Sequence, residues 1–333
     1  MKKFKKFLVG LLIVVIALVV IAFFLPRMVH IERTGTIDAP AKVVYNQVIN
    51  LRTWEKWAVW NQLDPDMNVE YHNSGIGNGA SYTWNSDDSN VGSGKLTITA
   101  AAPYDSIATE MDFVEEGTAT GYFLFDEEGE TTKVTWAFDT DLGNNPLARW
   151  MGLMFDSMIG PDLKQGIKNL KVVAETIVQE GRPIVEIVTL PPFNYVSIRS
   201  EIELENVSTQ MGIMYAQLMN FIDQKDLMRT DMPYAIYHKI DGTRIDLECG
   251  IPVDYQVEAE GNIQSGEMAA KTYAAADHVG SYSNLDKTHS FIQQWIQDNK
   301  FELTGSPMER YLTDPQRESD ESKWVTAIYY PVR

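Results

Sequence analysis

Pro233-Tyr-Ala-Ile-Tyr237 and Pro307-Met-Glu-Arg-Tyr311 are one phrase written twice, and the C-terminal part of the chain is organised around the two copies. The first is preceded by the strand-like Tyr195-Val-Ser-Ile-Arg199 and by a helical stretch with apolar residues at Met211, Met214, Tyr215, Leu218 and Ile222. It closes at Gly250-Ile-Pro252-Val253. The second is preceded by Tyr273-Ala-Ala-Ala-Asp277 and by a helix with Leu285, His289, Ile292 and Ile296 on one face, and it closes at Tyr329-Tyr-Pro331-Val332. Residues spaced by three and four make one apolar helix face, so each copy predicts strand, helix, strand, strand. The period of about 78 residues is too long for a solenoid and suits a duplicated half-domain, each half burying its sheet against the other's helix. Superposing the copies sets Ala235 opposite Glu309 and Tyr237 opposite Tyr311, so a carboxylate breaks the symmetry at one point. If Glu309 faces the groove between the halves among Tyr282, Trp295 and Tyr311, desolvation raises its pKa unless a cation pairs with it. Such a group holds a cationic ligand or serves as a general base. The competing reading is a solvent-facing strand residue paired with Arg310 or Lys300.

The segment His278-Val-Gly280-Ser-Tyr282, the helix bearing Trp295, and Gly305-Ser-Pro307-Met-Glu309-Arg-Tyr311-Leu-Thr-Asp314-Pro315 resemble the GyrI-like domain. That domain is also the effector-binding domain of AraC-type and multidrug-responsive transcription regulators. The resemblance spans roughly residues 183 to 333. It implies that Glu309 sits in an aromatic cleft receiving cationic or amphipathic small molecules, with Tyr282, Trp295 and Tyr311 as walls. Some members imply hydrolysis of reactive cyclopropane-containing compounds, which would make Glu309 the catalytic base. His278 is a further candidate for the lining, although a lone His is more often structural.

Phe7 to Leu25 is an uncharged run. Its length matches a hydrocarbon core of about 30 Å at about 1.5 Å per residue, so it predicts a membrane-spanning helix. Lys2, Lys3, Lys5 and Lys6 precede it, and Arg27 and Arg33 follow. The positive-inside bias places residues 1–28 as a cytoplasmic tail and anchor in a bacterial inner membrane, with everything beyond on the periplasmic or extracellular side. A cleaved signal peptide is the rival, but its apolar region is normally shorter and ends in small residues, whereas this one ends Ala-Phe-Phe-Leu-Pro-Arg.

The chain carries 46 acidic and 28 basic residues, net charge −18. That balance argues against nucleic acid and against lying on anionic lipid, and no helix-turn-helix precedes the regulator-like domain. The one cysteine, Cys249, excludes an internal disulfide and reads as a core strand residue. Asp64-Pro-Asp66-Met-Asn68 begins like a calcium loop, but Val69 stands where glycine is needed. Gly75-Ile-Gly-Asn-Gly79 lacks the spacing of a dinucleotide loop and reads as a turn between strands. No metal or cofactor is expected, and His72, His238, His278 and His289 are scattered without a triad pattern.

Gln179-Glu-Gly-Arg-Pro183 marks a boundary, because Gly and Pro there stop a helix. Residues 30–179 form one domain and 183–333 the other. The first opens with a strand from Val29 to Ile37 and then Asp38-Ala-Pro40, a helix start with Asp38 as a candidate cap. Strand-like runs follow at Ala80–Trp84, Lys95–Ala101, Ile107–Phe113, Thr120–Phe125 and Lys133–Asp139. Helical periodicity from Leu147 to Ile177 closes it, with a break or kink expected at Gly160-Pro161. Ile37-Asp-Ala-Pro40, Val43, Tyr45 and Asn50-Leu-Arg-Thr-Trp54-Glu-Lys-Trp57 resemble the opening of the polyketide-cyclase and START-related (SRPBCC) superfamily. The resemblance implies a curved antiparallel sheet gripping a long C-terminal helix around an apolar ligand cavity. Trp57, Trp60, Trp84 and Met154 are the candidate cavity walls, set against the plainer reading that they are ordinary core.

The fold class expected is therefore α+β: one N-terminal transmembrane helix, a helix-grip domain, and a pseudo-twofold duplicated β-α-β-β domain. Three functions stay open. The chain binds an amphipathic or cationic small molecule at Glu309, hydrolyses an electrophilic one with Glu309 as base and Tyr311 or Tyr282 assisting, or serves as an envelope protein-interaction module.

Overall fold

The computed structural model describes residues 2–88, 90–113, 117–315 and 317–333, with side chains from Phe4 onward. Met1 and the side chains of Lys2 and Lys3, part of the expected cytoplasmic tail, lie outside the described residues. The chain divides into two compact units, Met1–Arg182 and Pro183–Arg333.

The first unit begins with α1 (Lys2–Ala22), whose span Phe4–Ala22 is long and apolar enough to cross a membrane and is exposed from Phe4 to Ile21. It ends three residues before the end of the uncharged run, in turns closed by Phe23, Phe24 and Leu25. Strands β1 (Met28–Ile37), β2 (Asn68–His72), β3 (Ser81–Asn85), β4 (Ser93–Ala102), β5 (Ser106–Phe113), β6 (Gly117–Glu128) and β7 (Thr131–Asp141) make one sheet in the order β1-β7-β6-β5-β4-β3-β2. Every neighbouring pair is antiparallel. A register shift between Ile98 and Ala100 bends β4, as an extra residue in one strand of a pair does. Helices α2 (Ala41–Ile49) and α3 (Val59–Leu63) lie between β1 and β2; α4 (Pro146–Gly152) and α5 (Phe155–Gln179) follow β7.

Helix α5 buries Leu163, Gly166, Ile167, Leu170 and Ala174, a three-and-four spacing that makes one apolar stripe. It fits the sheet closely: a Cβ on Gly166 would stand 2.6 Å from the Trp136 ring, and one on Gly35 would stand 2.6 Å from Ile167. The α+β class and the sheet gripping its terminal helix are as expected. Two local expectations are corrected. The helical break falls at Leu153-Met154, and α5 runs on through Pro161, its seventh residue, where proline cannot donate to the Ser157 carbonyl. Asp38 does not cap α2. That helix starts after Pro40, the Glu127 carboxylate accepts from the Ala41 N–H, and Asp38 instead pairs with Lys171 on α5.

The second unit is one eight-stranded sheet. Its strands are β8 (Glu186–Leu190), β9 (Phe193–Glu203), β10 (Tyr234–Asp241), β11 (Arg244–Val253), β12 (Ile263–Met268), β13 (Lys271–Val279), β14 (Met308–Tyr311) and β15 (Val325–Pro331). The order β12-β9-β11-β10-β14-β15-β13-β8 reads the same from both edges once the halves are exchanged. Registers agree: Tyr195 pairs with Pro252 in the first half and Tyr273 with Pro331 in the second. The duplication is thus real in space, with its axis between β10 and β14.

Each half carries its helix, α6 (Val207–Gln224) or α7 (Leu285–Asp298), mainly over its own strands. Met214, Leu218 and Ile222 of α6 join Val196, Ile198 and Leu247, while Ile292 and Ile296 of α7 join Ala274, Ile328 and Tyr330. This corrects the expectation that each sheet half lies under the other's helix, because a strand–helix–strand connection folds back onto its own strands. Strands are what the halves exchange. β8 leads into β9 but pairs with β13, and β12 leads into β13 but pairs with β9.

Candidate functional site

On the axis of the second unit, β10 and β14 pair so that Ala235 stands opposite Glu309. An antiparallel pair on a twofold axis has one position that is its own mate, and at that position one copy holds alanine and the other a carboxylate. Side chains on one face of a strand recur every second residue, so Tyr237 and Tyr311 share the face of Ala235 and Glu309. Both helices bear on this face.

Glu309 is 3% exposed, and three donors converge on its carboxylate. Tyr311 Oη donates to Oε2 at 2.8 Å and Tyr237 Oη to the same oxygen at 3.0 Å. His289 Nε2 reaches Oε1 at 2.9 Å. Behind it, His289 Nδ1 lies 2.8 Å from Tyr330 Oη, which accepts from Gln293 Nε2 at 2.9 Å. A neutral imidazole with its proton on Nε2 satisfies this chain, with Tyr330 donating to Nδ1 and Nε2–H donating to Glu309. The carboxylate is therefore an end point on which the donors of β10, β14 and α7 converge.

Tyr215 of α6 donates to the Tyr234 carbonyl at 2.7 Å and packs against the same core as Tyr237 and Tyr311. Tyr282 stands edge-on to Tyr311 with centroids 5.8 Å apart and tilts against Trp324 at 4.8 Å. The phenols are held in their neutral form. Burial first, and the charge of Glu309 second, push Tyr237 and Tyr282 above the ordinary tyrosine range. Tyr311 is raised by burial, then by Tyr237 and Glu309.

Of the residues expected around Glu309, Tyr311 and Tyr282 are brought together. Trp295 stacks on Phe301 at 5.8 Å and packs in the core beneath α7. His278 is buried between Thr288 Oγ1 at 2.8 Å and the Ser281 carbonyl at 3.1 Å, a structural pair of contacts. Arg310, offered as a surface partner, points to the other face and pairs with Asp231. Sequence reading passed over His289, Tyr237, Tyr330 and Gln293 as site residues. The signal for His289 was present, since it is the one polar residue on an apolar stripe of Leu285, Ile292 and Ile296.

In the first unit, Trp57 and Trp60 meet around Trp136, with centroids 5.5 and 5.7 Å from it, and Trp54 and Phe123 complete the cluster. The indoles of Trp54 and Trp57 donate to the Val48 and Gln47 carbonyls. Trp84 sits further along the sheet against Tyr82 and Phe113. Met154 lies in the turn between α4 and α5, 59% exposed and apart from these rings.

Residues 28–175 match the family described as polyketide cyclase / dehydrase and lipid transport. Residues 184–333 match the GyrI-like small molecule binding domain. The chain joins a polyketide cyclase-like domain to a GyrI-like domain. No curated protein matches the chain. Among solved structures, the C-terminal domain of EcmrR is 25% identical over 46% of this chain and 98% of its own, with a TM-score of 0.40. SAV2435, solved with tetraphenylphosphonium, is 12% identical over 45% of this chain and 94% of its own, TM-score 0.33. The aromatase/cyclase ZhuI from a Streptomyces species is 17% identical over 46% of this chain and 98% of its own, TM-score 0.36. Glu309 thus belongs to the GyrI-like domain, and the tryptophan cluster to the cyclase-like one.

Proposed function

We propose that the GyrI-like domain captures a cationic or amphipathic small molecule, with Glu309 as its charge partner. The supporting observation is a single buried carboxylate on the pseudo-twofold axis, lined by Tyr237 and Tyr311. Aromatic faces and a desolvated carboxylate together select a delocalised cation over a hydrated one. Tyr282 and Trp324 form the outer layer that such a ligand displaces on entry. The cyclase-like domain, with its tryptophan cluster, is read as the holder of a second, hydrophobic ligand.

The apolar α1 anchors both domains in a bacterial inner membrane, the lysine-rich tail inside and residues beyond 28 outside. Nucleic acid has no part in this reading, given the net charge of −18.

The test is calorimetric titration of the full chain in detergent with tetraphenylphosphonium and with neutral triphenylphosphine oxide. Glu309→Gln is expected to weaken the cation by about 1–3 kcal/mol and leave the neutral compound nearly unchanged, since only the cation uses the charge. Equal loss for both compounds would refute the charge-partner role. The hydrolytic alternative, with Glu309 as general base, has two phenols within hydrogen-bond reach as proton donors. It requires turnover of an electrophilic substrate that vanishes in Glu309→Gln while binding persists.

A further inference from the structure

The stretch from Leu147 to Met158 is apolar outward as well as inward. Leu147, Met151, Leu153, Met154 and Met158 are exposed, from 47% at Met151 to 68% at Leu147. Its two charged side chains are both engaged: Asp156 bonds Arg33 at 2.8 Å, and Arg149 is buried. Five large apolar side chains together exceed the scattered exposure usual on a soluble surface.

The same stretch is fastened to α1. The Trp150 indole donates to the Leu18 carbonyl at 3.2 Å, and the Arg149 guanidinium donates to the Phe23 carbonyl at 3.0 Å. A cation at the last carbonyls of a helix is favourably placed against its dipole. Leu18 lies about one turn, roughly 6 Å, before the end of α1 at 1.5 Å per residue. The uncharged run continues past it to Leu25. If that run occupies hydrocarbon, α4 is held level with the outer end of the apolar layer. An indole beside it suits the membrane–water boundary.

We propose that α4 and the first turn of α5 are seated in the bilayer interface, so that this apolar face is covered by lipid. The inference rests on the anchoring role of α1 and adds a second contact with the same membrane. It fixes the cyclase-like domain close against the bilayer, where a hydrophobic ligand passes from lipid to protein without crossing water.

The full chain, with Cys249→Ser, is reconstituted in phosphatidylethanolamine/phosphatidylglycerol vesicles with a spin label at Leu147→Cys, Met154→Cys or Met158→Cys. Val14→Cys reports on α1, and Glu130→Cys, an exposed hairpin position, reports on water. Relaxation by oxygen is expected to exceed relaxation by a water-soluble nickel chelate at the three platform sites and at Val14, with the order reversed at Glu130. Nickel-dominated relaxation at the platform with oxygen-dominated relaxation at Val14 overturns the proposal while leaving the anchor intact. Nickel-dominated relaxation at Val14 as well overturns both. Platform labels shielded from both reagents mean that protein, a second copy or another partner, covers the face, and this also overturns it.

Discussion

At the scale of single residues, Glu309 is defined by its neighbours. Two phenols share Oε2, so Tyr311→Phe removes one donor while Tyr237 stays on the same oxygen. The expected loss is about 1.5 kcal/mol, the low end for a bond to a charged group, read from denaturant unfolding of the GyrI-like domain's transition. The tyrosines also set an alkaline limit. Tyr237 and Tyr311 both titrate above their ordinary value in the folded state, chiefly through burial. The unfolded chain loses those protons first, near pH 10, so the stability they contribute is complete below that pH and is lost as pH rises toward the folded values. Unfolding midpoints measured from pH 8 to 11 should fall above about 10, and Tyr237→Phe should make that fall shallower. Glu309 stood out in sequence because only one copy of the repeat carries a carboxylate there, and Tyr311 because the GyrI-like resemblance implies it as a wall. His289 was visible only as an anomaly, because its partners Tyr330 and Glu309 come from strands that sequence spacing cannot bring together.

At the scale of elements, α5 and α6 give opposite answers to one substitution. Gly166→Ala places a Cβ 2.6 Å from Trp136, a ring already confined by Trp54, Trp57 and Phe123. The helix-propensity gain of about 1 kcal/mol is outweighed by overpacking of about 1–3 kcal/mol, so the cyclase-like domain should melt earlier. Gly212, inside α6, has nothing within 4 Å of its would-be Cβ. Gly212→Ala should therefore stabilise the GyrI-like domain by roughly 0.5–1 kcal/mol in thermal unfolding. Most strands and the apolar helix faces could be placed from periodicity alone, since one buried face per element leaves its period in the sequence. The break before α5 could not. Pro161 looked like the interruption, but α5 continues through it, and the stripe from Leu163 to Ala174 that packs on the sheet follows it unbroken.

At the scale of the molecule, two ligand-type domains follow one apolar helix. Cys249 is buried, and burial pushes its thiol up to about 12, so it should resist maleimide in the native chain and react on unfolding. A new cysteine at exposed Glu258 then reports orientation against a silent background. A membrane-impermeant maleimide is expected to label it in intact spheroplasts, and labelling only after lysis would invert the proposed topology. The sequence by itself determined the duplication, the uncharged N-terminal run and the singular carboxylate, because each is written in local pattern or in the comparison of one segment with another, while the two domains' fold families came from the resemblance of their motifs to known families. Only the tertiary structure decided that β8 and β12 exchange between halves, that Glu309 lies on the axis under three donors, and that α4 is tied to α1. Those facts depend on which strands pair and which helix ends meet, and such long-range contacts are fixed by packing of the whole sheet and leave no period in the chain.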